Sequence, residues 1–207
     1  MHNKNLTLVA VLVILLGFTG VYVTQANTPT PGETVVATIN KSLDILNDPS
    51  LKGIDRFKER RQKLWDVVKT IFDFEETSRR ALGQNWLPLT SQEKKEFTDT
   101  FVNILRDSYL GKSDSYSGEK IVYIRELVQE NRGKVQTNFF TVNQKRIVID
   151  FSMHKIDGTW KIYDVIIEGV SMVSNYRSQF NSIISKESFA GLMKKLTEKE
   201  EEIPDFF

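Results

Sequence analysis

The sequence predicts an α+β fold, with helices packed on one side of a mainly antiparallel, four-stranded sheet. Three observations carry this reading. Apolar residues recur at helical spacing through the first half of the chain, whereas from Glu119 onward the period changes to two. The period-two runs are separated by short turn-forming segments, which imply antiparallel neighbours. Finally, residues 160–180 read as a strand that stops at Gly169 and turns at once into an apolar-faced helix. Helices first and a meander afterward place the helices together against one sheet.

In chain order, Thr30, Pro31 and Glu33 read as an N-cap, a first-turn proline and a capping-box acid. Val35, Val36, Ile39, Leu43 and Leu46 give the helix that follows one apolar face, and Asn47-Asp48-Pro49 ends it. A second helix, about residues 54–72, places Phe57, Leu64, Trp65, Val68 and Ile71 on one face. Its Lys58, Glu59, Arg60, Arg61 and Lys63 read as a solvated charged face. Asp73-Phe74-Glu75-Glu76 opens a short helix with acids where the macrodipole favours them, and Arg79-Arg80 sit toward its end. Thr90 and Glu93 form a second capping box ahead of a stripe of Phe97, Phe101, Leu105 and Tyr109, and the run from Gly111 to Gly118 ends that helix.

Four strand-like runs follow, at residues 121–128, 134–142, 147–153 and 160–168. In the last of them Trp160, Ile162 and Ile166 fall on one parity and Tyr163, Val165 and Ile167 on the other, as in a central strand covered on both faces. Past Gly169, Val170, Val173, Tyr176 and Phe180 stripe one helix, and Phe189, Leu192, Met193 and Leu196 stripe a final one over residues 187–201.

Length and charge bound the function. At 207 residues the chain fits one ordinary domain. Residues 1–26 read as a secretory signal peptide: Lys4 supplies a positive start, residues 6–23 are almost wholly apolar, and Thr24-Gln25-Ala26 offers a small-residue cleavage site. The competing reading is an uncleaved anchor, since that stretch lies near the lower limit for spanning a bilayer, roughly 17 to 20 residues. Cleavage would leave residues 27–207 as the mature domain. It would remove Lys4 and no acid, taking the formal charge from +1 to 0. A neutral chain lacks the basic footprint of a nucleic-acid binder. With no cysteine there is neither a disulfide framework nor a thiolate nucleophile.

Catalytic candidates are few. His2 lies in the leader, and His154, at a strand end, reads as a surface histidine. Asp164 and Glu168, four apart in a strand, could form a carboxylate pair with Asp164 as a base, or could serve structure by accepting hydrogen bonds and anchoring the next helix. No Walker loop, dinucleotide fingerprint, HExxH or GxSxG is present. What stands out is apolar excess: thirteen Phe, with Phe72, Phe74, Leu82, Trp86 and Leu87 crowding a segment too short to bury them by itself.

Two stretches carry a resemblance. WKIYDV followed by EGVSMVSNYRSQF at residues 168–180, and FDFEETSRRALGQNW at residues 72–86, resemble the MlaC family of periplasmic phospholipid-binding proteins, also called toluene-tolerance auxiliary proteins. The resemblance covers essentially the whole chain beyond the leader. It implies a fold like that of nuclear transport factor 2, with a curved sheet and its helices enclosing an apolar cavity. It also implies a periplasmic shuttle, with no catalysis and no cofactor, whose cargo is glycerophospholipid. Such a carrier lowers a barrier on the order of 20 kcal/mol for moving about 30 methylenes through water. Its expected partners are an inner-membrane ABC transporter complex with a lipid-binding ring subunit and an outer-membrane lipoprotein–porin complex.

From apolar periodicity and these two motifs, the expected cavity lining is Phe72, Phe74, Leu82, Trp86, Phe101, Leu105, Tyr109, Phe139, Val148, Tyr163, Val165, Ile167, Val170, Val173 and Tyr176. The expected docking charges are Lys58 to Lys63 and Lys194-Lys195.

Overall fold

A computed structural model describes residues 28–199. The expected leader therefore lies outside the described residues, as do the last two residues of the final helix read from the sequence. Helix α1 (Pro31–Asn47) starts as expected: the Glu33 amide donates to Thr30 Oγ1 at 3.2 Å and the Thr30 amide to Glu33 Oε2 at 2.8 Å. Two short 3-10 turns lead to α2 (Phe57–Ile71), and α3 (Phe74–Leu82) follows after two residues of extended backbone. Helix α4 (Ser91–Leu110) opens on the Thr90–Glu93 capping box and runs on into a 3-10 turn at Gly111–Ser115.

The sheet order is β1 (Lys120–Gln129), β2 (Arg132–Phe140), β3 (Arg146–Ile156), β4 (Thr159–Ile167) and β5 (Val170–Ser171), every neighbour antiparallel. The α+β class and the meander stand. A fifth strand of only two residues was not expected; it forms because Glu168 (φ 49°) and Gly169 (φ 82°) reverse the chain tightly enough to pair Val170 with Ile167. Helix α5 (Met172–Lys199) joins the two last helices read from the sequence, with Ser188 at φ 70° marking the break between them.

Two features of β4 correct the sequence reading. First, it is not flanked by a long strand on each side. Beyond the two residues of β5, its outer edge is met by the α2–α3 junction: Phe72 bridges Ile162, the Asp73 amide donates to the Ile162 carbonyl at 2.8 Å, and Thr77 Oγ1 donates to the Tyr163 carbonyl at 3.0 Å. Buried backbone groups are thereby satisfied without a neighbouring strand. Second, Met153 pairs with Ile162 but Ser152 with Asp164, so Tyr163 is an inserted bulge residue. A bulge reverses the alternation downstream of it. Since Met153, Phe151 and Ile149 share a face, their partners Ile162, Val165 and Ile167 share it too. Ile162, Val165 and Ile167, which sequence parity divided between two faces, are thus brought onto one, whereas Ile166, paired with Asp150, is turned to the other.

Two cores result. Val35 of α1 and Ile71 of α2 pack on Val135, Met153, Trp160 and Ile162 of the sheet. Contact is close there, because a Cβ on Gly133 would lie 3.1 Å from Pro31 and 3.2 Å from the Trp160 ring. The second core is wholly helical: Leu82, Phe97, Phe101, Leu105, Tyr176, Phe180 and Leu192 join α3, α4 and α5. The opposite face of the sheet is mixed: Asp150 is bonded there to Lys134 at 2.8 Å and to Gln136 at 3.0 Å, beside Leu127, Val148 and Ile166.

Candidate functional site

Between the two cores lies an apolar cavity of about 330 Å³. Trp65 and Val68 of α2 and Leu105, Arg106, Tyr109 and Leu110 of α4 form two of its walls. Phe72, Phe74, the β4 residues Val165 and Ile167, and Met172 complete it. The aromatic wall follows from the α2–α3 junction. Phe72 and Asp73 are extended, so residues 72 and 74 project to one side and Asp73 to the other. Phe72 stacks on Phe74 at a centroid distance of 5.4 Å, and Trp65 lies 5.3 Å from Phe74. Asp73 turns away to cap α3 through the Glu76 amide at 2.9 Å and to meet His154 Nε2 at 2.9 Å. Three consecutive residues, Phe72 to Phe74, therefore build the cavity wall and pin the sheet to α3.

Six of the fifteen residues expected from the sequence line this cavity: Phe72, Phe74, Leu105, Tyr109, Val165 and Ile167. Leu82, Trp86, Phe101, Val173 and Tyr176 are instead buried in the helical core. Phe139 is on the helix-facing side of β2 but away from the lining. Val148, paired with Asn138, lies on the opposite face. Tyr163, the bulge residue, packs on the His154 ring at 5.4 Å and under the Arg80 guanidinium at 4.0 Å. Val170 is exposed. Lining residues outside the expected set are Trp65, Val68, Arg106, Leu110 and Met172. The signal for Trp65 and Val68 was their shared helical face; Arg106 carried none, being one charge among many on an exposed helix side.

The charged candidates also resolve. Asp164 is buried, with Oδ1 accepting from the Val173 amide at 3.0 Å and Oδ2 from Ser171 Oγ at 2.6 Å, so it caps the start of α5. Glu168 turns elsewhere and accepts from the Val148 amide. The two carboxylates make no pair. His154 is half-buried against Asp73 and Tyr163, not an open surface residue. Arg60, read as part of a solvated face, is 5% exposed and bonds Asp114 at 3.2 Å, and Arg61 shares that carboxylate. Burial lifts the Tyr109 phenol well above its usual titration range, with the neighbouring Tyr176 adding to the shift. Among the described residues no group of His, Asp and Glu is placed to hold a metal ion. A larger but more polar groove of about 660 Å³ runs between α1 and α2 past Glu33, Lys41 and Asp66. It lacks the continuous carbon surface of the first cavity.

A family model described as the MlaC protein matches residues 36–198. The chain belongs to the MlaC family. Within that family it is similar to the intermembrane phospholipid transport system binding protein MlaC of Haemophilus influenzae, at 25% identity over 129 residues. That alignment covers 60% of this chain and 60% of the relative. In three dimensions the MlaC-family chain is similar to a phospholipid-binding protein from Ralstonia solanacearum whose structure holds a phospholipid. The TM-score is 0.73 at 24% identity, covering 81% of this chain and 95% of that one, a likeness of fold.

Proposed function

We propose that this chain is a periplasmic carrier of glycerophospholipid, and that its cavity takes up the acyl chains. The observation that carries the proposal is the lining: carbon surface from α2, α4 and β4 meets in one cleft, and neither a metal cluster nor a carboxylate pair stands in it among the described residues. Membership of the MlaC family and likeness to a phospholipid transport protein and a phospholipid-binding protein support lipid as the cargo. Residues 1–26 serve as the export signal and residues 27–207 as the mature carrier. The protein exchanges lipid by docking, on one side with an inner-membrane ABC transporter complex bearing a lipid-binding ring subunit and on the other with an outer-membrane lipoprotein–porin complex. It thereby maintains outer-membrane lipid asymmetry. Carrying breaks no bond, so the protein is not an enzyme, and Asp164, spent on capping α5, is not a base.

Lipid extraction tests the core of this reading. Protein purified from a diderm host without detergent should release phospholipid into organic solvent near one molecule per chain, measured by mass spectrometry. A folded protein with no phospholipid above a blank would sink the proposal.

A further inference from the structure

Beyond the cavity the sheet carries an apolar end that neither core uses. On its helix-facing side the cross-strand row of Thr137, Ile149 and Ile167 reaches the cavity through Ile167. The next row outward, Ile121, Phe139 and Ile147, is wholly apolar and half-buried, and it belongs neither to a core nor to the cavity lining. Past that row stands the β2–β3 turn, with Val142 54% exposed. The turn is held firmly: the Thr141 amide donates to the Lys145 carbonyl at 3.0 Å, the Gln144 amide to the Thr141 carbonyl at 2.9 Å, and the Lys145 amide to Thr141 Oγ1 at 3.1 Å. Carbon surface thus runs from Ile167 in the cavity out to a fixed, exposed tip. Cations surround that tip. On the other face Lys120, Phe140 and Arg146 form one row, and Lys145 closes the turn. All three cations are exposed, and none forms an ion pair among the described residues. The carboxylates at this end are turned to backbone amides, Glu119 to that of Ser117 and Glu168 to that of Val148. By contrast, the docking charges expected from the sequence are largely spent: Arg60 and Arg61 on Asp114, Lys63 on Glu59, Lys194 on Glu198 and Lys195 on Glu187.

We infer that the tip of the β2–β3 hairpin docks on an anionic phospholipid bilayer, with Val142 entering the interface and Lys120, Lys145 and Arg146 meeting the headgroups. An apolar tip with cations one row behind it has the order of a segment seated at a bilayer surface, where carbon enters the acyl boundary and cations stay among the phosphates. A folded protein partner is met through a shaped pocket or free backbone groups, whereas this tip is a protruding turn bonded to itself at Thr141, Gln144 and Lys145. Docked in this way, Ile149 and the row of Ile121, Phe139 and Ile147 give acyl chains a carbon-lined route between bilayer and cavity, which spares their methylenes contact with water. This rests on the carrier reading for the cargo and not for the contact, so the two can fail separately.

Flotation tests the contact. Purified protein is floated through a density gradient with vesicles of dioleoyl phosphatidylcholine alone, or of that lipid and dioleoyl phosphatidylglycerol in equal mole fractions. Wild type should float with the anionic vesicles and not with the neutral ones, and binding should fall as salt rises from about 0.05 to 0.5 M. Lys145→Gln and Arg146→Gln should each weaken binding about fivefold, the worth of one cation near an anionic surface. Val142→Asp should weaken it about tenfold, and Lys95→Gln, on α4, should leave it unchanged. Melting temperature and co-purified lipid report that each variant is folded. Flotation of folded Val142→Asp equal to wild type overturns the inference. Should Val142→Asp melt early, the two glutamine variants decide, and undiminished binding in both overturns it. Wild type that floats with neither vesicle also overturns it, and co-purified lipid in that protein leaves the carrier reading standing. If, without vesicle binding, the same substitutions slow lipid exchange with isolated inner or outer membranes, the tip meets a protein partner and the bilayer assignment falls.

Discussion

Asp164 is 8% exposed and has both carboxylate oxygens engaged by the segment that starts α5. A carboxylate that accepts a helix-start amide and a hydroxyl stabilises the fold; replacing such a cap by alanine costs about 1 to 2 kcal/mol. Asp164→Ala should therefore lower the unfolding free energy measured in urea by that much, moving the midpoint down with an unchanged slope, and the protein should still carry lipid. Asp164→Asn retains an acceptor oxygen and should lose less. Loss of an activity without loss of stability would return Asp164 to the role of base. Arg60 gives a parallel lesson. Its KERR context reads as surface charge, yet its guanidinium bonds Asp114 across 54 residues, a pairing no local pattern announces.

Elements divide by whether their signal is local. Both capping boxes were legible because a Thr and a Glu three residues apart complete them, and both form. The strands were legible from their period, and the turns from their residues. The face presented by β4 was not, because the bulge at Tyr163 is set by pairing with Ser152 and Met153 on another strand. Likewise Val148 reads as an inward residue until its pairing with Asn138 fixes its side. The cavity was half-legible for the same reason: the stripes on α2 and α4 have helical spacing, whereas Met172 and Arg106 enter through tertiary placement. The bulge makes a sharp prediction. Val165→Trp, filling the cavity, should reduce co-purifying lipid tenfold or more, whereas Ile166→Trp, on the opposite face, should leave it near wild type. Equal effects of both would mean that Val165 does not face the lipid.

At the scale of the whole molecule, volume decides how a lipid is held. Two chains total roughly 30 methylenes, and a water-sized unit needs about 10 to 15 Å³ of the space open to its centre, so on that measure they need on the order of 300 to 450 Å³. The cavity offers about 330 Å³ of such space, so two chains would fill it to its limit and their entry would require its walls to part. The partition between the cores says which wall moves. The sheet core is tied across strands by ladder hydrogen bonds and by Asp73 on His154, whereas α2 and α4 meet across the cavity through side chains and through the Asp114 ion pairs at its end. Loading should thus displace the C-terminal half of α4 against α2 and leave β2 and β3 in place. A ligand bound only to the native state at a hundred times its dissociation constant adds about 2.7 kcal/mol, worth roughly 5 to 10 °C for a chain of this size. Lipid-stripped protein should melt lower by that interval and regain it with phospholipid vesicles. Its amide hydrogens should exchange faster in α2 and the second half of α4, while those of β2 and β3 keep their protection. If exchange rises in β2 and β3 instead, the sheet is the moving wall and the partition drawn from the two cores is wrong.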